Sequence, residues 1–361
     1  MGTDLFQRGE RLREKSRYRE ALSAYRSALK RYAQGKQKGE MLCCLLALGD
    51  TYRMVGDFQS AIDVYTEAVA LSGQTRKRLM RADAMVGQGL ATRALGNWKD
   101  ALRLFSGAKT IYAEKHDRDG LAFALWAEGG AFRVRGDAKN AVRAFSRANR
   151  LFEALPDNGQ RNAVGYCLCG LGGISRVSGL FDDSLNYYRE ANRVLSSQKD
   201  RFGVAYSHCG IGNALRMKGD HAAAMKHLRK AEAIYGSIGD VVSYSYTLWS
   251  MGMTSIMRGR LKKAAEYFKK ATMLFRKTGD ARGIIYCCLG LGEVLFLEGN
   301  VSAARRMIVR ALDDADKKKF MIESCHAAAL LNYIDSGKTD NSCYRRIGLR
   351  LRFSSFPYNI P

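Results

Sequence analysis

Six arginines recur in one register: Arg13, Arg53, Arg93, Arg133, Arg176 and Arg216. Neighbours are 40 residues apart, except for 43 between Arg133 and Arg176. Arginine offers a planar fork of N–H donors that can hold a carboxylate or phosphate through two bonds at once, which suits it to this task better than lysine. The competing account is a cation placed near a helix C-terminus, worth about 0.3–1 kcal/mol each. Lysine would serve that role equally, yet it never takes this position. A second set of residues keeps step with the arginines: Phe123, Tyr166, Tyr206, Tyr246 and Tyr286, with Trp126 and Trp249 three residues after the first and fourth of these, and Asn213. Cationic forks beside rings suit an extended acidic or acidic-aromatic chain. They also suit single-stranded nucleic acid, through stacking and phosphate contact. For each ring the competing account is packing against the preceding helix.

The elements that carry these columns are repeats. A glycine recurs at Gly9, Gly49, Gly89, Gly129, Gly172, Gly212, Gly252 and Gly292. Twelve residues later comes a small residue, as in Ala21, Ala61 and Ala224, and four further on a large apolar one, as in Tyr25, Phe105, Tyr188 and Phe268. Ala follows three beyond that, as in Ala28 and Ala231. Small residues let two helices approach, and the large residue fills the space between them. A second glycine, seven after the first, ends the first helix in every unit except the first, where Ser16 stands. Asp57, Asn97, Asp137, Asp220 and Asn300 follow that turn, placed to cap the next helix.

Leu-Gly in a first helix, then Ala, an aromatic and Ala again resembles the tetratricopeptide repeat. The period of 40 residues, and the absence of a closing proline, are similar to kinesin light chain and to polarity adaptors with eight such repeats. The resemblance implies an all-α fold: a right-handed superhelical α-solenoid of eight helix-turn-helix repeats over residues 1–320. Leu155 to Gly159 carry the three-residue insertion, the expected break in the array. Residues 321–335 are expected to cap the solenoid, and 336–361 to form a mobile basic tail. The resemblance also implies that the arginine and aromatic columns line a concave groove. Adjacent repeats lie about 10 Å apart by helix-packing distances, and an extended chain advances about 3.3–3.6 Å per residue. One arginine would then meet every third ligand residue. Beyond Arg216 the register passes to Ile256 and Phe296, so that end of the groove turns apolar.

The chain has 361 residues, a net charge of +24 and a pI near 9.8. This balance favours acidic partners, with nucleic acid as the second choice, and says nothing about fold. Basic residues also stud the second helices, as at Lys262 and Lys263, which dilutes the focus on one track. Nine cysteines occur, none in a CxxC pair, and are read as small buried hydrophobes of a reducing compartment. His208 stands where other repeats have Leu45, Leu125, Leu168 and Leu248, and reads as a buried, hydrogen-bonded histidine. No phosphate loop, nucleophile elbow or paired-carboxylate motif is present, so the expectation is a protein-binding scaffold with no enzymatic activity, cofactor or metal. The charged N-terminus and the lack of a long apolar run predict a cytoplasmic protein without a membrane span. An alternative makes the tail an internal ligand, with Phe353, Phe356, Tyr358 and Ile360 entering the apolar end of the groove. Oligomeric state is open.

Overall fold

The computed structural model describes residues 2–156, 161–351 and 355–358. Eight helix pairs follow one another along the chain. They are α1 (Gly2–Glu14) and α2 (Tyr18–Gln34), α3 (Lys38–Met54) and α4 (Phe58–Thr75), α5 (Arg78–Ala94) and α6 (Trp98–Glu114), and α7 (Arg118–Arg135) and α8 (Ala138–Glu153). Then come α9 (Asn162–Val177) and α10 (Phe181–Ser197), α11 (Arg201–Met217) and α12 (His221–Ile238), α13 (Val241–Met257) and α14 (Leu261–Thr278), and α15 (Ala281–Leu297) and α16 (Val301–Lys318). A last full helix, α17 (Met321–Ser336), precedes a short one, α18 (Ser342–Arg346). The fold is a tetratricopeptide-like α-solenoid, and among the described residues there is no strand. Two compact units divide the chain: an N-terminal unit of residues 1–128 with 238–241, and a C-terminal unit of residues 129–237 with 242–361. The division falls inside α7. Of the three-residue insertion, Leu155 and Pro156 follow α8, and Asp157, Asn158 and Gly159 lie outside the described residues.

The repeating glycine has a direct steric cause. A Cβ on Gly9 would lie 2.5 Å from the Tyr25 ring, one on Gly49 2.5 Å from Tyr65, and one on Gly252 2.6 Å from Phe268. Each ring therefore lies flat against the bare backbone of its own first helix. The next repeat often closes the other side: a Cβ on Gly210 would stand 2.1 Å from Tyr188, and one on Gly290 2.6 Å from Phe268. These rings are buried, as are the alanines that flank them.

The turns follow the same economy. Gly219 takes φ +86°, and Ser16, where glycine is missing, still takes φ +57°. Asp57, Asp137, Asp220 and Asn300 accept the backbone N–H three residues on, which satisfies one of the donors that a helix start leaves open. Asn97 makes no such side-chain bond.

In the C-terminal unit the chain returns on itself. A Cβ on Gly136, in the turn after α7, would lie 3.3 Å from both Met321 and Ile322 at the start of α17. The last segment is packed rather than trailing. Cys325 of α17 and Cys343 of α18 form a disulfide, so these two are not the free thiols expected from the sequence. Tyr344, Leu349, Leu351 and Phe356 are buried. The physical reason is that every second or third residue there is apolar and finds an apolar surface already built. The other seven cysteines are free, and Cys44, Cys167, Cys169 and Cys287 are buried.

Glycine replacement should separate frame from surface. Gly210→Ala is expected to destabilise the protein by about 1–3 kcal/mol, because the new methyl drives into Tyr188. Gly73→Ala, in α4 with no atom within 4 Å of the added carbon, should stabilise by about 0.4–1 kcal/mol. Urea unfolding of the two variants beside the parent measures both signs.

Candidate functional site

The arginine register meets two different surroundings. In the N-terminal unit each arginine is half-open and anchored at one edge. Arg13 donates to Glu10 at 2.6 Å with its side chain 38% exposed, and Arg53 donates to Asp50 at 3.0 Å with 27% exposed. The same carboxylates accept hydrogen bonds from the packing tyrosines: Tyr25 donates to Glu10, and Tyr65 to Asp50 at 2.6 Å. Burial, reinforced by these bonds, pushes the Tyr25 phenol above its ordinary pKa. Arg93 has Leu90 at the corresponding place and reaches instead to the carbonyl of Ala127 at 3.3 Å. The acidic residue one position after the frame glycine thus holds the arginine three later, a helical i,i+3 pair. It is a positioning residue that the arginine column did not reveal. The signal was present as Glu10 and Asp50, but Leu90, Gly130 and Gly173 break the series.

Beside these arginines, Phe123 is 42% exposed and lies parallel to Trp126, ring centres 5.5 Å apart and planes 14° from coplanar. Thr3, Cys43 and Asp83, at the equivalent place in the three preceding repeats, are exposed as well. The first helices of the N-terminal unit therefore offer an accessible track of cations that ends on a stacked aromatic pair.

In the C-terminal unit part of the same columns is inside and the rest is half-buried. Arg216 is 1% exposed, donates to Asn213 at 3.3 Å and lies over the Trp249 ring at 5.6 Å. Burial, then the charge of Arg176, weakens its hold on the proton, and Glu293 opposes both. Arg176 is buried too. Arg133 is half-buried and lies against Gly173, where a Cβ would be 2.3 Å from its Nη1. Asn213 donates to Ser250 at 2.9 Å.

The rings here are joinery. Tyr166 donates to Asp200 at 2.8 Å, and Tyr246 to Asp280 at 2.8 Å. Those aspartates cap α11 and α15 by accepting from Gly203 and Gly283. Each tyrosine thereby ties its own repeat to the start of the next. Trp249 donates to the carbonyl of Tyr286 at 3.1 Å, and both rings are buried. Tyr206 is half-buried, tilted on Phe202 at 6.5 Å. Asn213, Arg216, Trp249 and Tyr286 are thus interior residues of this unit, not an open wall. The reason is tertiary: Tyr358 packs against the cluster that holds Trp249 and Tyr286, His326 of α17 lies within electrostatic reach of Arg216, and Asn213 meets Ser250 of the next repeat.

The cover adds polar groups that repeat counting missed. Arg282 pairs with the buried Glu323 at 2.6 Å. His326 contacts Tyr344 at 2.8 Å through Nδ1 and Glu293 at 3.5 Å through Nε2. Burial, then Arg216, pushes His326 down to about 3, so the ring is neutral. A tautomer protonated on Nε2 accepts from Tyr344 and faces Glu293 with its proton.

His208, expected to be buried and hydrogen-bonded, is only half-buried and meets His227 at 3.0 Å, Nδ1 to Nδ1. Burial, then His227 and Lys230, lowers it to about 4. Among the described residues no group of three or more His, Cys, Asp or Glu is placed to hold a metal ion, and no helix is long and apolar enough to cross a membrane. The two most strongly lowered histidines, His208 and His326, set a pH dependence. Folded, each stays neutral down to its depressed pKa; unfolded, each takes a proton near pH 6.5. The unfolded chain therefore binds more protons between these values, so their stabilisation is full above about pH 6.5 and is lost as pH falls towards 4 for His208 and towards 3 for His326. His208→Leu should make the urea midpoint fall less between pH 7 and pH 4.5 than in the parent.

Family models of the tetratricopeptide repeat match residues 4–74 and 46–116. No curated protein matches the chain in sequence. Among solved structures, a Rap protein complexed with Competence and Sporulation Factor is similar with a TM-score of 0.60 at 12% identity, covering 93% of this chain and 98% of that one. The apo form of RapI gives 0.51 at 11% identity, covering 97% and 99%. Aspartyl phosphate phosphatase F from Bacillus subtilis gives 0.50 at 10% identity, covering 93% and 95%. At such identities the likeness is one of fold.

Proposed function

We propose that this chain, a tetratricopeptide-repeat protein, is a non-enzymatic interaction scaffold that holds an extended acidic-aromatic segment of a partner protein on the first helices of its N-terminal unit. The observation that carries this reading is the half-open series Arg13, Arg53 and Arg93 leading to the exposed Phe123 stacked on half-buried Trp126. Glu10 and Asp50 each engage one edge of a guanidinium. A guanidinium has five N–H donors, so several remain for a ligand carboxylate, and the anchored fork loses less freedom on binding. The rings supply a flat apolar end point for an aromatic side chain. That a solenoid of similar fold is known in complex with Competence and Sporulation Factor supports the use of such a scaffold for recognition.

A peptide array of extended 12-residue segments tests the reading. Capture should rise with Asp or Glu at about every third position followed by Phe, Tyr or Trp. The double variant Arg53→Glu, Arg93→Glu should weaken capture at least tenfold and Phe123→Ala several-fold. Arg103→Glu, on the exposed side of α6, should change little. Unchanged capture by the double variant sinks the assignment. Binding of single-stranded RNA or DNA with a steep salt dependence, and no acidic peptide, would move the function to nucleic acid.

A further inference from the structure

The C-terminal segment lies where a groove ligand would lie in the C-terminal unit. Phe356 stacks on Phe296, ring centres 5.7 Å apart at 14°, and meets Tyr333 edge-on at 5.3 Å. Phe296 is the residue that takes the arginine register in the eighth repeat. Tyr358 packs against the cluster that contains Trp249, Met253 and Ile256, the last again a register residue. Tyr344 meets His326, which faces Glu293, the neighbour of the frame glycine Gly292. Further along, the chain crosses the turn after α9: a Cβ on Gly179 would be 3.3 Å from the Arg350 carbonyl oxygen and 3.4 Å from Leu351 Cα. Of the sequence-predicted contacts, Phe356 and Tyr358 are on this face; Phe353 and Ile360 lie outside the described residues.

The segment does not extend the solenoid. Among the described residues its one helix is α18, of five residues, and Leu349, Leu351 and Phe356 follow without regular structure. Tyr344, Leu349, Leu351 and Phe356 are buried, while Arg345, Arg346 and Arg350 are exposed. One covalent tie holds it, the Cys325–Cys343 bond, with Cys325 buried and Cys343 half-buried. A tie across 18 residues is expected to favour the docked segment about a hundredfold over an untied one.

We propose that the C-terminal segment is a built-in occupant of a second interaction surface, on the first helices of the C-terminal unit, and that dithiol reduction of Cys325–Cys343 opens this surface to a partner segment of the same aromatic and aliphatic chemistry. The partner presents a tyrosine to His326, leucines near Gly179 and an aromatic ring to Phe296. Its chemistry is apolar, unlike the acidic ligand of the N-terminal unit, so the two surfaces stand or fall separately. In the opening step a thiolate of the dithiol attacks Cys343 Sγ. The Cys325–Cys343 bond breaks, and Cys325 leaves as a thiolate that takes a proton. The second thiol then displaces Cys343, which is protonated in turn. Two electrons pass from the dithiol, now a disulfide, to the protein.

The test uses the full chain with and without dithiothreitol, and a fluorescent peptide of residues 340–358 carrying Cys343→Ser. Trypsin cleavage after Arg350, which sits between two buried leucines, should accelerate at least tenfold on reduction while helical circular dichroism is kept. The labelled peptide should bind the reduced chain and not the oxidised one, and its Tyr344→Ala form should bind at least tenfold more weakly. The full-length double variant Cys325→Ser, Cys343→Ser should behave as the reduced chain without dithiothreitol. Equal cleavage and no peptide binding in the reduced chain would overturn the proposal. So would loss of helicity on reduction, equal peptide binding in both states, or a reduced chain that only dimerises by exchanging tails.

Discussion

The contact on which everything else depends is an aromatic ring pressed against bare backbone. In each of repeats one to five and in the seventh, a Tyr or Phe of the second helix lies on a glycine of the first, close enough that a single methyl would collide. Burying such a ring removes a large apolar area from water, and truncating it to alanine typically costs about 3–5 kcal/mol. The contact fixes the separation of the two helices and therefore the direction in which the rest of the first helix faces. Glycine, ring and alanine recur because each repeat must solve the same packing problem. Leu228 and Ile308 solve it with an aliphatic side chain in the sixth and eighth repeats.

What that frame exposes is settled by electrostatics and by cover. In the N-terminal unit a carboxylate beside the frame glycine holds Arg13 and Arg53 while leaving them partly in water. Farther on, Arg216 has exchanged water for Asn213 and the face of Trp249. A guanidinium tolerates this better than an ammonium, because its charge is spread over a plane that can stack. The same register is thus partly open to water in one unit and part of the interior polar packing in the other. The tyrosines show a parallel division of labour: Tyr166 and Tyr246 reach the capping aspartates of the next repeat and so couple adjacent repeats.

Two polar systems in the C-terminal unit explain why its interior holds charge. Arg282 and Glu323 neutralise one another at close range, and neutral His326 bridges Glu293 and Tyr344. Buried charges are costly unless paired and hydrogen-bonded, and here the partners come from α15, α17 and α18. Those helices are distant in sequence from Arg133, Arg176 and Arg216. The covering segment is therefore part of the polar arrangement and not a mere lid.

The sequence by itself determined the helices, their pairing, the turn positions and most caps, because these depend on residues within one or two repeats. Gly219 with Asp220, or Gly252 with Phe268, can be read from spacing alone, since a helix fixes which residues share a face. It also placed six arginines and a series of rings on the first helices. Only the tertiary structure decided which of them meet water. Arg53 keeps its local Asp50 pair, whereas Arg216 lies among groups brought from other repeats and from α17, with Trp249 under its guanidinium and Glu293 and His326 within electrostatic reach. No periodicity encodes the return of the last segment. It follows from an apolar surface left by the last repeats and an alternating apolar segment long enough to cover it.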